Sequence, residues 1–208
     1  MQPLSDFGYL VHGIGLGASI AMPLGPMKIL CLRRVMAWGA AAGIVTAAGV
    51  VSGDAVYVAI AALGLNAVMS LLHTAGPALR LIGGLALLYL AFDALRRPIP
   101  KSEPSLERKR AISMYAGTIG LTLTNPTTIV MFATVLMSSG DAIGKGGASV
   151  AGGMVLGSAL VWTVFATVAI VAGKRLTPAR LMWLNRGAAI LLIYFGLEAI
   201  WSAAKLVF

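Results

Sequence analysis

Long apolar stretches, each about the length needed to cross a bilayer, alternate along this chain with short polar connections. A transmembrane helix needs about 20 consecutive, mostly apolar residues. By this criterion the pattern predicts helices over 7–27, 36–65, 79–95, 111–139, 148–173 and 187–204. We therefore predict an all-α membrane protein with six transmembrane helices.

The two halves of the chain correspond to each other. Offsets of 103, 104 and 105 residues relate 17–23 to 120–126, 49–55 to 153–159, and 88–94 to 193–199. Because each copy holds three spans, an odd number, the second copy enters the membrane from the opposite side. We predict one transporter domain over 1–208, built as an inverted repeat: repeat 1 over about 7–95, a cytoplasmic linker over 96–110, and repeat 2 over about 111–204. Substrate sites in such proteins lie between the copies.

Helix-breaking residues interrupt the first helix of each predicted repeat. Pro23, Gly25 and Pro26 lie in the first helix, and Asn125 and Pro126 lie in the fourth. Non-helical backbone inside a membrane must face protein or a water-filled cavity, because lipid cannot hydrogen-bond it. A single proline favours an ordinary kink, but the paired interruptions favour a binding site that both breaks line.

Asp54 is the one charged residue in the second predicted helix. A carboxylate at mid-membrane costs about 2.5–3.5 kcal/mol on insertion scales, so such groups usually mark an ion or substrate path. Gly53 precedes it, and Ser158 is its counterpart in the second repeat. The alternative is a protonated Asp54 that only hydrogen-bonds a neighbouring helix. We predict that it carries protons and binds substrate.

The basic residues between the spans predict the orientation. The connections after the first, third and fifth helices hold thirteen Lys and Arg, and the other side holds three. Basic connections stay in the cytoplasm, so both termini are expected outside. No basic residue precedes Lys28, so we expect the first apolar run to remain as a helix and not to be cleaved as a signal peptide.

Composition excludes several other functions. The chain is 59% hydrophobic and 11% charged, with a mean hydropathy of +0.90. Its basic residues are spread between apolar spans, which is unlike a nucleic-acid-binding face. Cys31 is the single cysteine, so an internal disulfide, a paired-cysteine zinc site and a thiol relay are excluded. We expect no cofactor and no metal site.

Other polar residues have less certain roles. Asp93 precedes Arg96 and Arg97 at helix-neighbour spacing, which favours an ion pair, whereas the roles of Glu198 and Lys28 stay open. Glycine pairs at a spacing of four allow close helix contact, within the subunit or between subunits of a homodimer. These pairs are Gly39/Gly43, Gly49/Gly53 and Gly153/Gly157.

The ordered motifs resemble the lysine exporter (LysE/RhtB-type) family of bacterial amino-acid effluxers. The resemblance rests on Pro-Leu-Gly-Pro at 23–26, Gly53-Asp54, Leu-Tyr-Leu at 88–90 and Asn125-Pro126, and it covers nearly the whole chain. It implies six helices in the bacterial inner membrane and proton-driven export of amino acids or close derivatives. Met27 and Lys28 stand where amino-acid-transporting members often have Asn or Gln.

Our functional hypothesis is proton antiport of a zwitterion. The substrate ammonium would bind Asp54 and its carboxylate would bind half-helix amides or Asn125. The alternative is a divalent metal exporter for a manganese- or cadmium-like ion, although only one deep carboxylate is available. An enzyme is disfavoured, because paired cysteines and a His, Asp or Glu cluster are absent from the sequence. A purely structural membrane subunit is a further alternative.

Overall fold

The computed structural model describes residues 5–23, 25–62, 65–96, 106–173 and 178–207. These residues are helical almost throughout, with no β-strand among them, which confirms the predicted all-α class. The helices are α1 (Asp6–Ala21), α2 (Pro26–Ala62), α3 (Leu65–Arg96), α4 (Arg108–Thr124), α5 (Pro126–Gly173) and α6 (Pro178–Val207). The central part of the predicted linker, 97–105, lies outside the described residues.

The longest helices, α2 and α5, each leave helical geometry at a glycine. In α2 the backbone departs at Trp38 and at Gly39, where φ is +70°. In α5 it departs at Gly147, where φ is +44°. Only glycine adopts such angles without a steric penalty from a Cβ atom. Each of these helices therefore consists of two helical segments joined at a glycine.

Several predicted boundaries differ from the observed ones. The predicted first helix, 7–27, stops at Ala21, and helical backbone resumes at Pro26. The predicted fourth helix, 111–139, is divided at Asn125. The predicted third helix, 79–95, begins earlier, at Leu65, and contains Pro77. The first two differences fall at the breaks that the proline and glycine residues predict. The early start of α3 was not predicted, because a helix can continue past the apolar stretch that spans a membrane.

Several described helices are long and apolar enough to cross a membrane. Three stretches meet this criterion among the described residues: Pro26–Ala61, Lys145–Gly173 and Asn185–Lys205. A fourth is added if the bent pair Arg108–Thr124 and Thr127–Val135, which turns by 59°, forms one broken span. The described part of the chain thus contains repeated hydrophobic spans, as the sequence pattern predicts.

Close glycine contacts pack α1 against α5. A Cβ atom on Gly13 or Gly17 would overlap the backbone of Val150 or Met154 in α5. In the same way, α2 packs against α4, where a Cβ atom on Gly53 would lie 2.7 Å from the Thr122 Cβ atom. Such close approach needs small residues, and it confirms that these glycines serve contacts within the subunit.

The interior holds two apolar clusters with a set of buried polar side chains among them, and many large apolar side chains also cover the outer surface. The buried polar set comprises Lys28, Arg33, Arg34, Thr46, Asp54, Thr118, Thr122, Asn125, Ser158 and Asn185. Large apolar side chains such as Leu85, Val164 and Ile190 are more than half exposed. The observed arrangement is the one expected when the outer faces contact lipid and the interior holds the functional polar groups.

The positions of Arg33 and Arg34 correct the predicted cytoplasmic connection after the first helix. Both lie on the first segment of α2 and are buried, at 6% and 8% exposure. Arg34 donates to Thr118 Oγ1 at 2.6 Å and to Thr46 Oγ1 at 3.2 Å. Thr118 is 84 residues away in the chain, so the sequence pattern did not indicate that the arginine could be buried.

Arg33 is a tertiary partner of Asp93 that the sequence pattern did not indicate. Its guanidinium lies 3.3 Å from Asp93 Oδ2 and also donates to Asn185 Oδ1 at 3.2 Å. Arg96, the neighbour expected to pair with Asp93, has its guanidinium 3.9 Å from the centre of the Phe92 ring. Arg97, the other expected partner, lies outside the described residues. The tertiary ion pair joins α2 to α3, with α6 supplying the amide oxygen.

Candidate functional site

The first chain break separates α1 from α2. Helix α1 ends at Ala21, and Gly25 begins α2 by accepting hydrogen bonds from the backbone amides of Lys28 at 3.1 Å and Ile29 at 3.4 Å. Pro26 occupies the first helical position, where its missing N–H leaves no hydrogen bond unmade. The Pro-x-Gly-Pro sequence therefore stops one helix and starts the next.

Lys28 caps the end of α1 across this break. Its Nζ atom donates to the carbonyl oxygens of Ala21 at 2.8 Å and Met22 at 2.6 Å. Carbonyls at a helix end have no partner within the helix, and the ammonium suits the negative end of the helix dipole. The side chain is only 5% exposed, so Lys28 reaches inward to stabilise the break.

The second chain break separates α4 from α5. Asn125 has an extended backbone, with φ −74° and ψ 115°, and stands before Pro126 at the start of α5. Its Oδ1 atom accepts from the Thr127 amide at 3.2 Å, and its Nδ2 atom donates to Thr128 Oγ1 at 3.0 Å. This is the geometry of an N-cap. Asn125 therefore fixes the start of α5 with both ends of its amide.

Tyr57 stabilises the end of α4 beside this second break. Its hydroxyl donates to the Leu123 carbonyl oxygen at 2.6 Å. Its ring stacks on Phe132 with the ring centroids 5.0 Å apart. One α2 side chain therefore joins the end of α4 to the first segment of α5.

Replacing Tyr57 with Phe should destabilise the protein without a large change in packing. The ring stack survives, but the Leu123 carbonyl loses its side-chain donor, at a cost of about 1–3 kcal/mol. We expect a fall of several degrees in the apparent melting temperature of the purified protein in detergent. Tyr194→Phe is the matched control, because the Tyr194 hydroxyl has no hydrogen-bond partner among the described residues. An equal fall in both variants would exclude a special role for this bond.

Asp54 and Ser158 meet between α2 and α5. The Ser158 hydroxyl donates to Asp54 Oδ2 at 2.6 Å, and the two side chains are 3% and 2% exposed. A charge-assisted hydrogen bond of this kind stabilises the ionised carboxylate. Ser158 thus holds one carboxylate oxygen and leaves the other with capacity for further ligands.

A pocket opens between the two chain breaks. Its empty space is about 410 Å³ when the adjoining open solvent is counted. Its lining comprises Ile20, Ala21, Pro23, Gly25, Met27, Lys28, Val50, Asp54, Asn125, Thr127, Thr128, Met131 and Trp162. We call this space the central pocket. It brings one carboxylate, one ammonium and several hydrogen-bonding groups together with an apolar wall.

Four of the residues predicted for the site line the central pocket: Pro23, Gly25, Asp54 and Asn125. Ser158 lies behind Asp54 as its hydrogen-bond donor. Gly53 packs against Thr122, and Pro26 is buried at the start of α2, so neither lines the pocket. Pro126 begins α5 after Asn125.

Sequence reasoning missed several residues of the pocket wall. Trp162 lies four residues after Ser158, which places both on one face of α5. Thr127 and Thr128 follow the second break directly. These positions in the sequence could have indicated that Trp162, Thr127 and Thr128 belong to the pocket wall. Lys28 could not be assigned in this way, because a lysine near the end of an apolar run usually reaches the membrane surface.

The described pocket wall combines acidic and basic groups. Among the described residues, no group of three or more His, Cys, Asp or Glu side chains is close enough to hold a metal ion. Asp54 is the only carboxylate in the described pocket wall, and Lys28 shares that wall. The arrangement suits a ligand that carries both charges better than it suits a bare cation.

Comparison with known proteins agrees with this picture. A family model for the LysE type translocators matches residues 18–203, which is nearly the whole chain. A search of the curated proteins found no match, and a search of the solved structures found none either. The family match confirms the resemblance carried by the motifs and, together with the apolar helices, indicates a multi-pass membrane transporter. The chain therefore belongs to the LysE type translocator family.

Proposed function

We propose that this protein exports an amino acid or a close derivative from the cytoplasm in exchange for protons. The observation that carries the proposal is the buried Asp54 carboxylate in the central pocket between two broken helices. Carboxylates inside membrane proteins usually serve ion or substrate pathways, and broken helices commonly form transporter binding sites.

An inverted repeat is supported by the contact between Asp54 and Ser158. These residues correspond to each other at the offset of 104, and their side chains hydrogen-bond. Two equivalent residues can meet in this way only near the axis that relates the two copies. The order of elements is consistent with this, since the break between α1 and α2 recurs between α4 and α5, and the long helices α2 and α5 each leave helical geometry at a glycine. We infer that Asp54 lies near the midplane of the transporter.

In the proposed cycle, one carboxylate serves the substrate and the proton in turn. Ionised Asp54, held by Ser158, binds the substrate ammonium when the pocket faces the cytoplasm. After the pocket opens outward, a proton neutralises Asp54 and the substrate leaves. Because the two ligands exclude each other, the returning transporter carries a proton inward. The two repeats would rock around this point to change access.

The proposed orientation places both termini outside the cytoplasmic membrane. Lys28, Arg33 and Arg34 are buried and no longer count as loop charges. Without them the basic residues still number ten on one side against three on the other. This bias favours the connections after the third and fifth predicted spans as cytoplasmic, including the linker over 96–110. The location we propose is the bacterial inner membrane.

The alternative, a divalent metal exporter, has weaker support from the pocket. Hard divalent cations prefer six or more oxygen ligands, often including more than one carboxylate. The described pocket wall provides one carboxylate and places an ammonium beside it. That ammonium would repel manganese or cadmium, whereas it would attract the carboxylate of an amino acid.

Reconstituted vesicles provide the test of the proposed function. Vesicles loaded with a mixture of amino acids and placed in a more acidic medium should lose at least one amino acid in a protein-dependent manner, as read by mass spectrometry. Collapsing the gradient with a protonophore should slow that loss. If no amino acid leaves while manganese or cadmium does, the amino-acid assignment is wrong and the metal alternative replaces it.

A further inference from the structure

We propose that Lys28 binds the substrate carboxylate, so that the central pocket selects net-neutral amino acids with apolar side chains. This inference rests on the proposed function and names the substrate class of the same pocket. It begins from Lys28, a nearly fully buried residue in the pocket wall.

Lys28 has no carboxylate partner among the described residues. Its ammonium contacts two neutral carbonyl oxygens and lies 5.5 Å from the centre of the Phe165 ring. An ammonium has three N–H donors, and the carbonyls use two of them. A buried charge without an ion-pair partner is costly, and the end of α1 supplies only about half of a countercharge through its dipole. A bound carboxylate would supply the missing negative charge.

Asp54 stands in the same pocket without a cationic partner. The neutral Ser158 hydroxyl donates to it, and no ion pair joins it to Lys28 within the described residues. The pocket therefore presents one positive and one negative group that do not neutralise each other. A zwitterion with its ammonium on Asp54 and its carboxylate on Lys28 would neutralise both.

The rest of the pocket wall indicates the kind of side chain. Val50, Met131 and Trp162 are apolar, and no second carboxylate occurs in the described lining. The extra ammonium of lysine would lack a partner there, and burying an unpaired charge is strongly unfavourable. We infer that basic amino acids bind poorly and that neutral, apolar ones bind best.

Variants of Lys28 can separate the carboxylate-binding role from the capping role. Lys28→Gln keeps an amide donor for the α1 carbonyls but removes the charge. Lys28→Arg keeps the charge. Lys145→Gln is the control for charge removal, because Lys145 is exposed.

Trp162 offers a binding signal that does not require transport. It lines the pocket, and the other tryptophans are Trp38, Trp183 and Trp201. Each of those three rings packs against a cationic side chain, and phenylalanine would keep a ring in that place. In a protein with Phe at those three positions, pocket ligands should change Trp162 fluorescence.

The experiment compares each ligand with and without its carboxylate. Leucine, alanine and threonine are titrated beside their carboxamides, with isovalerate as a simple carboxylate and lysine as a basic amino acid. We expect the best neutral amino acid to bind at least about tenfold more tightly than its carboxamide and than lysine, about 1.4 kcal/mol. Lys28→Gln should reduce the acid-to-amide ratio to near one. Lys28→Arg and Lys145→Gln should retain the preference.

Each outcome decides the inference. An unchanged acid-to-amide ratio in Lys28→Gln would overturn it, as would the absence of any fluorescence response to carboxylates. If isovalerate binds in a Lys28-dependent manner but no amino acid does, the carboxylate site stands and the amino-acid assignment fails. Tighter binding of lysine than of leucine would overturn the substrate class.

Discussion

Replacing Asp54 with Asn should abolish pH-gradient-driven efflux in reconstituted vesicles while the protein remains folded. The Asn side chain keeps an oxygen that can accept the Ser158 hydrogen bond, so packing is preserved. It can neither carry a proton nor pair with a substrate ammonium. Removing one partner of a desolvated charge pair costs about 2–5 kcal/mol. We therefore expect at least a roughly 30-fold loss of apparent affinity, in addition to the loss of coupling.

Two variants provide the comparison for Asp54→Asn. Ser158→Ala removes only the hydrogen bond to the carboxylate, so it should reduce efflux less than Asp54→Asn does. Asp93→Asn changes another carboxylate, which is paired with Arg33 and does not line the described pocket wall. It should keep proton coupling even if stability falls. Wild-type efflux from Asp54→Asn vesicles would refute the assigned role.

Replacing Gly17 with Ala should destabilise the fold, because the added methyl group would overlap the backbone of α5. A Cβ atom at Gly17 would lie 2.6 Å from the Met154 carbonyl carbon, well inside the usual contact distance of about 3.5–4.0 Å. The obstacle is backbone, which cannot rotate away as a side chain can. Overpacking of this kind costs about 1–3 kcal/mol or more. We expect the apparent melting temperature to fall by about 5–10 °C.

Gly15→Ala is the matched control on the same helix. A Cβ atom at Gly15 would meet nothing within 4 Å. Alanine also favours helix more than glycine does, so this variant should be neutral or slightly stabilising. Melting of both variants can be followed in detergent by circular dichroism. Equal melting temperatures for Gly17→Ala and the wild type would show that α1 and α5 do not pack as closely as described.

The sequence was most informative about the helix breaks. Proline and glycine change the backbone locally, so Pro23, Gly25 and Asn125 could be recognised without knowledge of their neighbours. Asp54 was recognisable for a similar reason, because a charge is conspicuous in an apolar helix. Matching the two halves at an offset of 104 also identified Ser158, which proved to be the hydrogen-bond donor to Asp54.

The buried basic residues could not be predicted in the same way. Whether Arg33 faces water or the interior depends on Asn185, which is 152 residues distant in the chain. Lys28 depends on where α1 ends, since its partners are the carbonyls that this end leaves free. A count of basic residues between apolar runs assigns both Lys28 and Arg33 to a loop, although both are buried. Their burial follows from tertiary partners that the pattern does not contain.

The most direct test of proton antiport through Asp54 is the movement of protons driven by the substrate alone. Vesicles loaded with the transported amino acid and a pH-sensitive dye are diluted into medium of equal pH. We predict that the interior acidifies as the amino acid leaves, and that Asp54→Asn vesicles show no pH change. Loss of the amino acid without acidification in the wild type, or equal acidification with Asp54→Asn, would contradict the mechanism.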